Sequence, residues 1–166
     1  ETTTMVLVPA VTAAVHIPVI AAGGIATGRQ MLAAMVMGAE GVQMGSRFVA
    51  SEEASSHINF KNKVIDSHEG DTQLTLKQLT PVRLIKNDFF KMVQEAEWRG
   101  APADELKTLL GRARAKKGMF EGDLEQGELE IGQVSALLDG ILPAADIVKK
   151  VWKEFTDGLA KPLKML

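Results

Sequence analysis

Cysteine is absent from the chain. Its absence excludes disulfides, a thiolate metal site and a thiol nucleophile, and is compatible with a cytoplasmic protein. An excess of one charge is missing too: 19 Lys and Arg stand against 21 Asp and Glu, a net charge of −2. That balance gives no electrostatic footprint for nucleic acid, and aromatics at 5% are too few for a base-stacking platform. Unbroken apolar runs of membrane-spanning length are lacking as well. The stretch from Met5 to Ala26 is long enough only if Pro9, His16, Pro18, Gly23 and Gly24 are counted through, so it reads as helix plus buried strand rather than a membrane span.

What is present is a pair of similar segments, Pro18-Val-Ile-Ala-Ala-Gly-Gly-Ile-Ala-Thr-Gly28 and Gly41-Val-Gln-Met-Gly-Ser46. Each starts as a short apolar run, which predicts a strand buried on both faces, as parallel strands are. Each then passes through small residues into a helical pattern. Thr27 followed by Gln30 is a capping-box signature for the first helix, which runs through Met31, Leu32, Met35 and Val36 to Gly38. Two successive β/α units feeding neighbouring parallel strands follow from this order. Gly23 and Gly24 lack a Cβ, so their N–H groups can approach a ligand closely. Gly45 and Ser46 open a short helical segment whose free N–H groups suit an anion, with the Ser46 hydroxyl as a further donor. The spacing fits a phosphate site, and it equally fits glycines that only turn strand into helix.

The run IPVIAAGGIATGRQMLAAMVMGAEGVQMGSRFVASEE resembles the FMN-binding end of the nitronate monooxygenase family, formerly 2-nitropropane dioxygenases, which includes FMN-dependent enoyl-acyl-carrier-protein reductases. The likeness extends upstream into Thr4-Met-Val-Leu-Val-Pro9 and more loosely downstream through Pro81-Val-Arg-Leu-Ile-Lys-Asn87 and Gly132-Gln133. It implies an α/β fold, the C-terminal part of an FMN-binding (β/α)8 TIM barrel with a helical C-terminal extension. A barrel of that kind takes about 250 residues, so these 166 are expected to be its C-terminal half, with six strands and the catalytic histidine upstream of Glu1. Residues 1–70 would hold the last β/α units and the FMN phosphate site; residues 71–166 would be mainly helical. Ala22, Gly23, Gly24, Gln43, Met44, Gly45, Ser46 and Gln133 are the residues the resemblance assigns to FMN.

The rest of the chain carries less chemistry. Met5, Val8, Val11 and Val15 predict a helix over residues 4–15. His16 precedes the first strand, at the barrel end opposite catalysis, and is expected to be structural or on the surface. Ser51, with Glu52 and Glu53 behind it, predicts a capped helix through Ile58, Val64 and Ile65 to about Gly70. His57 and His68 fall on that helix, too far apart for an i, i+4 metal pair, and are expected to be solvated. Thr72 to Thr80 alternates and predicts a half-exposed extended piece; Pro81-Val-Arg-Leu-Ile-Lys86 then leads to Asn87, and Arg83 and Lys86 would be surface ion-pair residues or reach an anionic ligand. Asn87 and Pro102 predict helix starts, the second helix ending in Arg112, Arg114, Lys116 and Lys117 before Gly118. An acidic loop from Glu121 to Glu128, helical stretches at 133–138 and 143–155, and a frayed tail from Lys161 complete the pattern.

The resemblance implies oxidation of a nitronate by FMN and O2, with the upstream histidine as base. The alternatives are an NAD(P)H-fed enoyl thioester reductase on the same fold, or a non-catalytic flavin-binding or structural half completed by another chain. The expected partners are the N-terminal half of the barrel and a small nitronate or enoyl thioester, with no nucleic acid, membrane or metal, and with a homodimer left open. The IMP dehydrogenase and GMP reductase group shares the two turns but attacks its substrate with a Cys that this chain does not have.

Overall fold

The structure, a computed structural model, describes residues 2–161. Its first elements are α1 (Thr4–Ala14), β1 (Ile20–Ala22), α2 (Gly28–Val36), β2 (Gly41–Gln43) and α3 (Ser46–Val49). β1 and β2 pair in parallel, with Ile20 opposite Gly41, Ala21 opposite Val42 and Ala22 opposite Gln43. The two expected β/α units are therefore present. The capping box is present as well: Thr27 Oγ1 accepts from the Gln30 N–H at 3.2 Å, while Gln30 Oε1 accepts from the Thr27 N–H.

The expected burial of both strand faces is not found. Ala21 is 2% exposed and packs with Val8, Ile25, Ala34 and Ala39, whereas Ile20 on the other face is 55% exposed. α1 and α2 cover one side of the sheet, and nothing among the described residues of this unit covers the other.

The packing also divides the chain elsewhere than at residue 70. Described residues up to Glu52 and from Leu142 onward form one compact unit, and Glu53–Ile141 form a second. The helix α7 (Ala144–Ala160) belongs to the first unit and lies along α2. Gly28 makes this approach possible. A Cβ there would be driven into the Val151 carbonyl oxygen and the Phe155 backbone nitrogen, and Glu154 Oε2 accepts from the Gly28 N–H at 2.8 Å. Ser51 does not cap a helix, because its neighbourhood is used otherwise. Its hydroxyl donates to Phe48 O at 2.7 Å and the Glu52 N–H donates to Leu142 O at 3.0 Å, which ties the end of α3 to the strand-like start of the α7 segment.

The second unit comprises α4 (Ile58–Ile65), β3 (Thr72–Thr75), β4 (Val82–Ile85), α5 (Asp88–Trp98), α6 (Ala103–Leu110), a π-helix (Lys116–Phe120) and a 3₁₀-helix (Gln133–Leu137). α4 starts at Ile58 with His57 as its cap, accepting from the Asn59 N–H at 3.1 Å. His57 is thus a half-buried capping group and not a solvated one, while His68 is exposed beyond the helix end. β3 falls within the extended piece expected from Thr72, and it pairs antiparallel with β4 in a hairpin that the sequence reading did not anticipate. Leu76, just past β3, sits at φ 55° and is buried. Glu97 of α5 holds it there, accepting from the Leu76 N–H at 2.8 Å and from the Thr75 hydroxyl. Asn87 and Pro102 cap α5 and α6 as expected. The basic run does not continue α6: Gly111 at φ 66° and Ala113 at φ 58° break it first. Gly118 lies inside the π-helix, where a Cβ would come within 2.6 Å of Glu128 O, so its role is close packing and not termination. The expected fraying of the tail falls, apart from Lys161, outside the described residues.

One pH dependence belongs to this unit. Burial, and after it the nearby Glu130, raises the Glu128 carboxyl from 4.5 to about 7, with Arg114 opposing. A carboxyl raised on folding favours the fold while protonated, so its contribution is complete below pH 4.5 and lost as the pH rises to about 7. Glu128→Gln is therefore expected to stabilise the second unit at pH 8 by about 3 kcal/mol at most and to flatten the slope between these limits. Urea titrations at pH 5 and pH 8 measure this, and an equal effect of the substitution at both pH values contradicts it.

Candidate functional site

The parallel register decides what the site can be. Ala22 and Gln43 are partners at the ends of β1 and β2, so the residues that follow them leave the sheet side by side. Gly23 and Gly24 follow Ala22 at φ 98° and 73°, backbone that favours glycine. A Cβ on Gly24 would meet nothing within 4 Å, and one on Gly23 only Thr4 Oγ1. Met44, Gly45 and Ser46 follow Gln43. Gly45 caps α3 through its carbonyl, which accepts from the N–H groups of Phe48 and Val49 at 2.9 and 3.0 Å, and a Cβ there also meets nothing within 4 Å. Two stretches of side-chain-free backbone thus stand open at one end of the sheet.

Seven of the eight expected residues are brought together here. Ala22, Gly23, Gly24, Gln43 and Gly45 are exposed, and Ser46 is half-buried at the first position of α3. Met44 is half-buried, packs against the cluster of Val8, Ala21 and Ile25, and lines a cavity of about 270 Å³ with Met31, Val42, Phe48, Val148, Val151 and Trp152. Gln133 belongs to the second unit, where it starts the 3₁₀-helix after Gly132.

Two supports of the site escaped the sequence reading. Thr4 Oγ1 donates to Gly23 O at 3.1 Å and fixes the first glycine turn from α1. Glu154 receives the Gly28 N–H and so fixes the start of α2, which follows that turn. The only sign of the first was a threonine at a helix start; the second lies 126 residues away and left no local sign. His16 is exposed in the connection before β1, at the opposite end of the strand from the glycines.

Neighbouring parallel strands, each followed at its C-terminal end by an open, glycine-bearing turn and then a helix, define an α/β protein. A family model described as nitronate monooxygenase matches residues 1–154, and the chain belongs to that family of oxidoreductases. A probable nitronate monooxygenase of Staphylococcus saprophyticus is 37% identical over 137 residues, 81% of this chain and 38% of that protein. A putative monooxygenase of Mycobacterium tuberculosis is 34% identical over 165 residues, 95% of this chain and 44% of that one. Among solved structures, FabK from Thermotoga maritima overlays with a TM-score of 0.90 at 41% identity, covering 96% of this chain and 51% of FabK. A nitroalkane oxidase from Streptomyces ansochromogenes gives 0.75 at 30% identity, covering 95% of this chain and 44% of that structure. The chain thus has an α/β fold similar to theirs, and it spans about two fifths of the length of these curated relatives. Among the described residues, no helix is long and apolar enough to cross a membrane.

Proposed function

We propose that this chain is the cofactor-binding part of an FMN-dependent oxidoreductase that oxidises nitronates with O2, a nitronate monooxygenase. The observation that carries the reading is the pair of open turns, Gly23-Gly24 and Gly45-Ser46, set side by side by the register of Ala22 with Gln43. The residues fit the group. A phosphate is well held by backbone N–H donors, and these turns hold no side chain that would occupy its place. Ala22, Gly23, Gly24, Gln43, Met44, Gly45 and Ser46 would hold FMN; the part given to Gln133 rests on the family resemblance alone. When bound, FMN would supply the electron-accepting chemistry, and the protein's task is to bind and orient it.

The further parts of the reading rest on the same resemblance. They are a (β/α)8 barrel closed by an N-terminal half, a histidine in that half as the general base, a small-molecule substrate, a cytoplasmic location and a homodimer. The exposed face of Ile20 and Ala22 is the side on which such a barrel would close.

Gly45 provides the cleaner test. Its φ of −92° suits any residue and its Cβ would touch nothing, so Gly45→Val leaves the fold intact. Gly24, at φ 73°, strains under any substitution and confounds folding with binding. Gly45→Val is expected to yield protein with a wild-type circular dichroism spectrum and without the visible absorbance of bound flavin. Full flavin absorbance in that variant would remove the phosphate from this turn.

A second reading is reduction of an enoyl thioester by NAD(P)H. It is favoured by the overlay on FabK, an enoyl-acyl-carrier-protein reductase, at 0.90 against 0.75 for the nitroalkane oxidase. Oxygen consumption with a nitronate supports the first reading. NAD(P)H oxidation that depends on an enoyl thioester supports the second.

A further inference from the structure

The second unit contains a cavity that the flavin reading does not use. It has a volume of about 340 Å³ and lies at the end of α6, against Leu110, Gly111, Arg112, Arg114, Lys116 and Lys117, with Glu121 on its edge. Four cationic side chains thus face one carboxylate. Two of the four are already committed: Lys116 pairs with Glu121 at 3.2 Å and Lys117 with Asp123 at 2.9 Å. Asp123 is a firm anchor, its carboxyl held down to about 2 by the Gln126 N–H and then by Lys117.

The two guanidinium groups differ from the lysines. Arg114 is fixed in place: Nε donates to Leu110 O at 2.9 Å, one terminal nitrogen to Gln126 O at 2.9 Å, and the group stacks 4.5 Å from the centre of the Phe89 ring. Both of its hydrogen-bond acceptors are neutral carbonyls, and Glu128, a carboxyl whose charge it favours, is pushed up to about 7 by burial and so only partly offsets the guanidinium. Arg112 has no hydrogen bond or ion pair among the described residues and is exposed at the cavity. A held guanidinium and a free one at the same cavity provide planar donor forks that match the oxygens of a phosphate. Left-handed backbone at Gly111, just before Arg112, and at Ala113, between the two arginines, takes both off a continuing helix.

We propose that this cavity binds a phosphate dianion, either free or as the phosphomonoester end of a small molecule, through Arg112 and Arg114. Its volume exceeds that of a phosphate alone and is at the lower end for small-molecule sites. The site stands apart from the flavin reading, because none of its residues belongs to the glycine turns.

Calorimetric titration of the flavin-loaded protein with inorganic phosphate and, separately, with ribose 5-phosphate tests the proposal. Saturable binding is expected. Arg112→Gln should weaken it about tenfold or more, the worth of a charge-assisted pair, while Arg112→Lys recovers part of the loss. Lys77→Gln removes one charge from an exposed turn of the same unit and should change the affinity less than about twofold. Equal affinity for the two probes identifies free phosphate as the ligand, and tighter ribose 5-phosphate identifies an ester. Absence of saturable binding overturns the proposal, as does an Arg112→Gln variant that binds like the wild type. An equal loss from Lys77→Gln also overturns it, because the attraction is then diffuse charge. Arg112 is exposed and makes no hydrogen bond or ion pair among the described residues, so a folding defect does not obscure the result.

Discussion

Replacing Gly28 with Ala is expected to separate α2 from α7 and to cost the first unit about 3 kcal/mol or more. Most added methyl groups find room when neighbouring side chains move, and overpacking then costs about 1–3 kcal/mol. Here the obstructing atoms are the Val151 carbonyl oxygen and the Phe155 nitrogen, with the Glu154 Cβ at 2.6 Å. Backbone inside a helix cannot step aside, so the helices must part. The 2.8 Å hydrogen bond from the Gly28 N–H to Glu154 is lost in the same movement and leaves a buried donor unpaired. Hydrogen exchange resolves the effect locally: amides in α2 and α7 should exchange about a hundredfold faster, while those in α5 are unchanged. Wild-type protection of α2 in Gly28→Ala would show that the helices do not need this close approach.

Phe89→Ala is expected to be as damaging in the second unit. The ring is fully buried among Leu76, Leu84, Phe90, Val93 and Leu106, and truncation of such a ring costs about 3–5 kcal/mol through lost burial and the cavity left behind. Arg114 would also lose the ring it stacks on, a contact worth about 0.5–2 kcal/mol. Phe89→Leu keeps most of the volume and should cost clearly less. Urea titration followed by circular dichroism measures both. If the two variants were equally stable, ring burial would not be the source of the unit's stability.

The sequence was legible wherever structure is decided within one turn of chain. Thr27 with Gln30, Asn87 and the prolines 102 and 143 each mark a helix start, because the side chain or ring acts on backbone within a few residues. The open turns at Gly23-Gly24 and Gly45-Ser46 were legible for the same reason. Reading failed where a distant segment competes. Ser51 has the composition of a cap, but its stretch pairs with Leu142 instead. The basic run after Leu110 has helical composition, yet Gly111 and Ala113 take left-handed backbone before the π-helix begins. Nothing local to Glu97 marks it as the residue that accepts from Thr75 and Leu76, some 21 residues away. Thr4 and Glu154 support the candidate site from segments whose proximity no local pattern reveals.

The return of α7 to the first unit also has a consequence in time. During synthesis, α2 leaves the ribosome long before the segment that covers it, because the whole of Glu53–Ile141 is made in between. At translation rates of about 5–20 residues per second, the face around Gly28 waits on the order of ten seconds for its helix. The second unit, whose elements are contiguous in the chain, has no such delay and can fold first. Until α7 arrives, the face of α2 around Gly28 is therefore open to proteases and to self-association, and a chaperone that shields it would act in that interval.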